Sequence, residues 1–254
     1  DRLDLSGLSA VSMMAANNET GCLQPWQRMA ELCRARGIPY HCDASQWIGK
    51  MAPQGLADCD FFTGCGHKFC GPRGVGFLVV PESLQLSGSL LGGAQQAGRR
   101  AGTEDLAGAA ALLAALQAVE SRRPDCGPDG KSVLWERLRD HLPGSEAVCG
   151  LDGSLWNTAA LILPDFPSAR WIRALEKRGF LVSAGSACST GHPGPSHVLA
   201  AMGLSATAAS RVIRISSGWE TPVDDWNELA EAILDVHREL SRDDSASGTR
   251  VVSI

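Results

Sequence analysis

The stretch Gly64-Cys65-Gly66-His67-Lys68 decides how this chain is interpreted, together with Asp43 upstream. Residues 38–42 and 60–64 are short, largely apolar runs, and each predicts a strand that ends just before one of these polar groups. Ligands of open α/β sheets gather at the carboxyl ends of the strands. We therefore expect the Asp43 carboxylate and the Lys68 amine to face one pocket.

These two residue types suit the protein's side of pyridoxal phosphate chemistry. A lysine in a partly desolvated pocket has a lowered pKa, which favours Schiff-base formation. A carboxylate against the pyridine nitrogen keeps that nitrogen protonated and strengthens the electron sink. Taken alone, Asp43 and Lys68 fit a helix-capping aspartate and a surface lysine better than they fit a cofactor site. Further motifs must therefore decide between the two interpretations.

The composition is that of an ordinary globular protein of 254 residues, with 44% hydrophobic and 20% charged residues. A net charge of −5 and the lack of a basic block argue against direct binding of nucleic acid. No apolar run approaches the roughly 18 residues of a membrane span. The nine scattered cysteines fit reduced thiols of the cytoplasm better than a disulfide framework.

Four residues around the key stretch also suggest a metal cluster: Cys59, Cys65, His67 and Cys70. Zinc sites usually show tight ligand pairs, and the sequence has no Cys-x-x-Cys pair here. We therefore expect no metal site in this chain.

The first half of the chain predicts an α/β fold with a mainly parallel sheet. A buried strand is predicted over residues 8–16. Pro25 then opens a helix that reaches Arg36 and stops at Gly37. The other predicted elements of this half are a turn at 71–74, a strand over 75–80, a loop over 87–102 and a helix from the cap Thr103-Glu104-Asp105 to about Glu120.

The pattern changes at residues 121–131, where proline and glycine predict a linker or long turn. Beyond this linker, helices and strands alternate as in an α+β domain. The predicted elements are helices over 133–141, 168–178 and 222–240, and strands over 157–163, 180–182 and 211–216.

Six stretches of the chain carry motifs that can be compared with known families. They are Ala16-Asn17-Asn18-Glu19-Thr20-Gly21, His41-Cys42-Asp43-Ala44-Ser45-Gln46, residues 66–76, Gly98-Arg99-Arg100-Ala101-Gly102-Thr103, residues 185–199 and Val212-Ile213-Arg214-Ile215-Ser216. In this order and at these spacings they closely resemble the cysteine desulfurases. These enzymes belong to the class V aminotransferase group of fold-type-I pyridoxal-phosphate enzymes.

The resemblance runs from about residue 8 to 240 and implies the domain organisation. Residues 1–120 correspond to the C-terminal part of the cofactor-binding large domain. Residues 121–241 correspond to the small α+β domain, and we expect 242–254 to be a disordered tail.

The resemblance also implies roles around the cofactor. Lys68 forms the Schiff base with pyridoxal 5′-phosphate and later moves protons. Asp43 pairs with the pyridine nitrogen, while Asn18 and Gln46 contact the cofactor around its phenolic oxygen. His67 helps to hold the phosphate.

Two further residues are implied to lie near a phosphate. The family usually has a serine where this chain has Cys65, and a thiol is a weaker donor than a hydroxyl. We therefore expect weaker phosphate binding at that position. Thr103 is implied to reach the phosphate of the partner subunit's cofactor, which requires a homodimer.

The implied reaction converts L-cysteine into L-alanine. Arg214 binds the substrate carboxylate, a role that suits a planar, bidentate donor. The Cys188 thiolate attacks the substrate's sulfur and carries it as a persulfide to an acceptor protein, which serves iron–sulfur assembly or tRNA thiolation. The glycine-, serine- and proline-rich surroundings of Cys188 favour an exposed thiol.

The family places a phosphate loop and a ring-stacking histidine before the strand predicted at residues 8–16. Neither is present, so we expect this chain to be the C-terminal portion of a longer enzyme. Two other interpretations stay open. One is a related class V enzyme, such as a selenocysteine lyase or another C–S lyase, and the other is a catalytically inactive scaffold or partner subunit.

Overall fold

The computed structural model describes residues 3–83, 87–122, 129–185 and 196–247. The chain forms two compact units. The first unit comprises Asp1–Ala16 and Gln24–Asp125, and the second comprises Asn17–Leu23 and Cys126–Ile254. The short Asn17–Leu23 segment therefore belongs to the second unit, although it interrupts the first in sequence. The domain division near residue 120 stays a prediction.

The first unit contains a four-stranded sheet with the strand order β1-β2-β3-β4. The strands β1, β2 and β3 are parallel, and β4 is antiparallel to β3. This topology confirms the predicted α/β class with a mainly parallel sheet. The strands are β1 (Val11–Met14), β2 (Tyr40–Asp43), β3 (Phe61–Cys65) and β4 (Gly76–Val79).

Helix α1 (Trp26–Arg36) connects β1 with β2 and ends as the sequence predicts. Pro25 is the N-cap residue, and Gly37 takes the left-handed conformation with φ of 66°. The N–H of Ile38 donates to the Cys33 carbonyl at 3.0 Å, which is the hydrogen bond of a Schellman C-cap. The apolar face of α1 is buried, including Trp26, whose ring meets Trp47 edge-on at 5.3 Å.

The connection from β3 to β4 carries the key stretch. A short 3₁₀ turn, Gly66–Lys68, follows β3. The N–H of Gly71 donates to the Gly66 carbonyl at 2.8 Å, and a Cβ on Gly71 would lie 2.9 Å from that oxygen. Because only glycine allows this approach, the turn returns tightly and leaves Lys68 just beyond the carboxyl end of β3.

Helix α2 (Leu106–Arg122) begins at the predicted cap, since the Asp105 carboxylate accepts a hydrogen bond from the Gly108 N–H at 2.9 Å. The loop before it contains one 3₁₀ turn, Gln95–Gly98. No helix in the described ranges is long and apolar enough to cross a membrane.

The second unit packs helices on a three-stranded antiparallel sheet. Its strand order is β5-β6-β7. The core includes the fully buried side chains of Leu134, Trp171, Ile213 and Ile233. The elements are β5 (Glu146–Ala147), β6 (Thr158–Ile162), β7 (Val212–Ser216), α3 (Asp129–His141), α4 (Ser168–Glu176), α5 (His197–Ala201), α6 (Ala206–Ala209) and α7 (Val223–Ser247).

Three features of the second unit depart from the sequence prediction. The strand predicted over 180–182 is wrong: these residues lie outside any strand, and in the described part of this segment a single bridge joins Ser183 to Arg214 of β7. Helix α7 continues to Ser247, beyond the predicted end at residue 240. The short elements β5, α5 and α6 were not predicted, because two to five residues are too few to show a periodic pattern.

A buried lysine holds the loop that precedes β6. Lys131 is 3% exposed, and its ammonium donates to the carbonyl oxygens of Leu151 and Leu155 at 3.0 and 2.9 Å and to the Ser154 hydroxyl at 2.7 Å. Burial lowers the pKa of Lys131 to about 8, and the negative charge of Asp152 opposes this shift. The lysine therefore adds donors to carbonyls that also accept from within the loop, from Ser154 and Thr158, and so fixes the loop to helix α3.

We expect Lys131→Met to lower the free energy of unfolding by about 1–3 kcal/mol, because the loop loses the hydrogen bonds that the ammonium donates to Leu151, Ser154 and Leu155. Between pH 8 and 10.5 the unfolded lysine keeps a proton that the folded one has lost, so wild-type stability rises with pH in this window. The methionine variant should lack this rise of up to about 1.4 kcal/mol per pH unit. Urea titrations at several pH values measure both effects. Lys177→Met, at an exposed lysine, is the matched control, and an equal loss in both variants would contradict the assignment.

Candidate active site

Asp43 ends β2 and offers one carboxylate oxygen for a ligand. Its Oδ1 accepts hydrogen bonds from the Ser45 N–H at 3.0 Å and from the Thr63 hydroxyl at 3.5 Å. Neither bond uses Oδ2. The Asp43 carboxylate is therefore held in place by one oxygen while the other can accept a proton-bearing group.

A row of polar side chains crosses the three parallel strands and supports Asp43. The Ser12 hydroxyl lies 2.8 Å from His41 Nδ1, and His41 Nε2 lies 3.3 Å from the Thr63 hydroxyl. If Thr63 donates to Asp43, then His41 Nε2–H donates to Thr63 and Ser12 donates to Nδ1. This set of hydrogen bonds orients the His41 ring and the Thr63 hydroxyl towards Asp43. The sequence analysis missed this row, because its members are single polar residues on separate strands.

A tight turn after Asp43 carries Gln46 and Lys50. The Lys50 ammonium donates to Gln46 Oε1 at 2.5 Å. Gly49 has φ of 76°, and a Cβ there would lie 2.5 Å from Phe69 Cβ, so the turn packs directly on the residue that follows Lys68. Burial lowers the pKa of Lys50 to about 8, helped by the positive charge of Lys68. Lys50 was not predicted as a site residue.

Lys68 and His67 are both exposed in the described structure, and Cys65 is half-buried. The prediction of a partly desolvated Lys68 is therefore wrong for this chain. The physical reason is that the core contacts of this segment are made by its neighbours: Gly66 and Phe69 are buried, while the side chains of His67 and Lys68 between them remain exposed. Three nitrogen donors still follow β2 and β3, from Lys50, His67 and Lys68. Such donors are suited to binding an anionic group of a ligand.

The Asn17–Leu23 segment belongs to the second unit and carries the predicted site residue Asn18. Asn17 Oδ1 accepts from the backbone N–H groups of Glu19 and Thr20, at 2.9 and 3.0 Å, in an Asx turn. Gly21 has φ of 75°, and a Cβ there would lie 2.9 Å from Thr158, so the segment lies directly on β6. The turn leaves the Asn18 side chain exposed, and the Asn18 backbone carbonyl faces Arg214.

Arg214 is half-buried on β7 and has unused hydrogen-bonding capacity. Its Nη1 donates to the Asn18 carbonyl at 2.9 Å, while its buried Nε has no hydrogen-bond partner among the described residues. Burial lowers the pKa of Arg214, and the negative charge of the buried Glu19 opposes this shift. A partly buried guanidinium with a spare donor fits a carboxylate ligand.

Glu19 is a further residue that the sequence analysis did not assign. It is 5% exposed, and its Oε2 accepts a hydrogen bond from the Ser196 hydroxyl at 2.5 Å. Ser196 is also the N-cap of α5, where its oxygen accepts from the Leu199 N–H at 3.3 Å. A glutamate among small polar residues gives no sequence signal for such a contact.

Two predicted site residues are not tested by these contacts. Thr103 is exposed just before α2, and its assignment to the partner subunit's cofactor stays a prediction. Cys188 lies outside the described residues. Its role as sulfur acceptor therefore rests on the sequence motif.

One pair of cysteines departs from the prediction of reduced thiols. Cys22 and Cys149 form a disulfide with a Cα–Cα distance of 6.1 Å, and it ties the Asn17–Leu23 segment to the chain after β5. No spacing pattern points to this pair, because its members are 127 residues apart. The described free cysteines are Cys33, Cys42, Cys59, Cys65 and Cys70.

The profile described as Aminotransferase class-V matches residues 5–229, and the chain belongs to this family. Class V aminotransferases and cysteine desulfurases generally depend on pyridoxal phosphate. The family assignment confirms the resemblance inferred from the six motifs.

Within this family, the similar curated proteins include several that are described as cysteine desulfurases. The chain is 36% identical to "Cysteine desulfurase" of Klebsiella pneumoniae, over 82% of this chain and 53% of the relative. It is 36% identical to "Cysteine desulfurase NifS" of Azotobacter vinelandii, again over 82% and 53%. It is 35% identical to "Cysteine desulfurase" of Cereibacter sphaeroides, over 92% and 62%. The chain thus spans only about half to three-fifths of these relatives.

Solved structures show the same fold. A NifS-like protein from Rickettsia africae superimposes with a TM-score of 0.79 at 25% identity, covering 90% of this chain and 62% of that one. A second NifS-like protein gives a TM-score of 0.78 at 26% identity, covering 90% and 61%. These likenesses confirm the predicted partial fold-type-I architecture.

Proposed function

We propose that this protein is a pyridoxal-phosphate-dependent cysteine desulfurase, which converts L-cysteine into L-alanine and passes the sulfur to Cys188. The observation that carries the proposal is the pairing of functional groups on adjacent parallel strands. Asp43 ends β2 with Oδ2 available, and Lys68 follows β3 with an exposed amine. The similarity to curated cysteine desulfurases supports the same reaction.

The described residues fit pyridoxal phosphate by the chemistry of their donors. Asp43 Oδ2 can accept from the protonated ring nitrogen, and the Gln46 amide offers donors and an acceptor to polar groups of the ring. The sequence resemblance implies the same role for Asn18. Lys68 supplies the amine for covalent attachment, while His67 and Cys65 supply phosphate donors. When bound, pyridoxal phosphate supplies an electron sink for charge that develops at the substrate's α carbon.

The chain's own groups then have distinct tasks. Arg214 orients the substrate by its carboxylate, and Lys68 takes the α proton and later returns a proton. The Cys188 thiolate attacks the substrate's sulfur, so the carbon–sulfur bond breaks as a sulfur–sulfur bond forms. The β carbon gains a proton, and L-alanine leaves with Cys188 as a persulfide.

The proposal includes partners that the sequence resemblance implies. Thr103 is assigned to the cofactor of a second copy, which makes the active form a homodimer. The persulfide passes to an acceptor protein, either an iron–sulfur scaffold or a tRNA-thiolation protein. We place the reaction in the cytoplasm, since five of the seven cysteines in the described ranges are free thiols, as is typical of a reducing compartment, and the other two form the one described disulfide.

We expect the chain, incubated with pyridoxal phosphate and L-cysteine, to form one L-alanine for each sulfur atom transferred. Alanine is measured by chromatography, and persulfide on the protein by mass spectrometry after alkylation. Protein without the cofactor is the control. Free sulfide without a protein persulfide favours a C–S lyase, and faster release from L-selenocysteine favours a selenocysteine lyase. The absence of alanine under all conditions contradicts the desulfurase and supports an inactive scaffold.

A further inference from the structure

Lys50 is a half-buried lysine close to the candidate cofactor residues, and the proposed reaction gives it no task. It lies four positions after Gln46, in the turn that follows β2. The Lys50 N–H donates to the Trp47 carbonyl at 3.0 Å, and the Trp47 indole N–H donates to the Ala52 carbonyl at 2.7 Å. The turn is thereby fixed on both sides of Lys50.

The packing of this turn brings Lys50 to the key stretch. The left-handed Gly49 seats the turn on Phe69, and the Ile48 side chain lies against Gly64, where a Cβ would be 2.9 Å from Ile48 Cδ1. Lys50 is consequently close enough to Lys68 and Cys65 for their charges to act on its pKa in opposite directions. A second lysine beside the attachment lysine would be unfavourable without a local partner.

The hydrogen bond between Lys50 and Gln46 fixes which way the Gln46 amide points. An ammonium group has three donors and no acceptor, so it can pair only with the amide oxygen Oε1. The amide nitrogen must then lie on the opposite side and present its two N–H groups there. A free glutamine could rotate by 180° and present its oxygen instead.

We propose that Lys50 is a positioning residue that holds the Gln46 amide with its nitrogen towards the cofactor. The inference rests on the proposed function, because it assigns the Gln46 N–H groups to an acceptor oxygen such as the ionised phenolic oxygen of pyridoxal phosphate. Lys50 is assigned to the cofactor through Gln46. Lys50 thereby favours a ligand that presents an acceptor oxygen to the Gln46 amide nitrogen.

The amide orientation can be tested without the cofactor. In ¹⁵N-labelled full-length protein, the Gln46 side-chain amide signals are identified by their loss in Gln46→Ala. We expect Lys50→Met to shift these signals and Lys50→Arg to restore them, since arginine keeps the donor. Lys177→Met, at an exposed lysine, should leave them in place. Unchanged Gln46 signals in Lys50→Met would overturn the proposal.

The functional part is tested by titration with pyridoxal phosphate. We expect Lys50→Met to weaken binding about tenfold, as for one hydrogen bond to a charged group, and Lys50→Arg to bind within about twofold of wild type. In a Gln46→Ala background, Lys50→Met should cause no further loss. The proposal would be overturned if Lys50→Met weakened pyridoxal phosphate binding by a further tenfold in the Gln46→Ala background. It would also be overturned if Lys50→Met bound pyridoxal phosphate with wild-type affinity although its Gln46 amide signals were shifted.

The two hypotheses fail in different ways. If wild-type protein does not attach pyridoxal phosphate, the proposed function fails, and the amide signals alone decide whether Lys50 orients Gln46. Thermal unfolding of each variant shows whether a change in affinity reflects a loss of folding. A lysine with a purely structural role would lower the melting temperature and leave the affinity of the folded protein unchanged.

Discussion

Lys68→Ala should abolish covalent attachment of pyridoxal phosphate and reduce alanine formation by at least roughly 10²–10⁴-fold, the usual contribution of a positioned acid–base group. The variant loses both the amine that attaches the cofactor and the group that moves the α proton. Its fold should be unaffected, because Lys68 is exposed on the 3₁₀ turn after β3. Attachment is measured by borohydride reduction followed by mass spectrometry, and turnover by alanine release.

Lys68→Arg is the matched control for charge, since arginine keeps a cation and cannot form a Schiff base. We expect it to lose attachment as completely as the alanine variant while it retains some affinity for the phosphate. Attachment that persists in Lys68→Ala would show that another lysine carries the cofactor. Lys50 would then be the first candidate, because burial lowers its pKa to about 8.

Cys188→Ser should abolish sulfur transfer to the protein and leave cofactor attachment at the wild-type level. A serine hydroxyl is not ionised near neutral pH and forms no persulfide, so the carbon–sulfur bond of L-cysteine loses its nucleophile. Persulfide is measured on the intact protein, and attachment is measured as for Lys68. The expected loss of transfer is complete within detection.

Cys70→Ser is the matched control for this substitution, because Cys70 is an exposed free cysteine of the first unit. Sulfur transfer should be retained in that variant. If sulfur transfer were lost in Cys70→Ser and retained in Cys188→Ser, Cys70 and not Cys188 would be the sulfur acceptor. Release of sulfide at the wild-type rate by Cys188→Ser would favour a C–S lyase.

The elements that the sequence predicted well are those with strong local signals. Helix α1 was predicted at both ends because Pro25 and Gly37 act through backbone geometry that no tertiary contact needs to supply. The strands β2 and β3 were predicted from apolar runs bounded by polar residues. Their parallel pairing also accounts for Asp43 and Lys68 at one edge of the sheet.

The features that the sequence could not predict depend on contacts between distant residues. The hydrogen bond from Ser196 to Glu19, and the disulfide between Cys22 and Cys149, each join the first tenth of the chain to its second half. The exposure of Lys68 was mispredicted because burial follows from what packs around a turn, which a strand-end position does not determine. Lys50 was missed because a single lysine in an apolar turn has no periodic signature.

The placement of Gly21 against Thr158 has a consequence for how the protein is made. The Asn17–Leu23 segment leaves the ribosome more than a hundred residues before its hydrogen-bond partners Gly153 and Leu155. Water must hydrogen-bond to these backbone groups until the later residues emerge. Closing so long a loop also carries an entropic cost. Contacts of high sequence separation form slowly, so the surroundings of Arg214 are completed late in folding. A nascent chain stalled before Thr158 can thus contain β2 and β3, with Asp43 and Lys68, and still lack the strand β7 that carries Arg214.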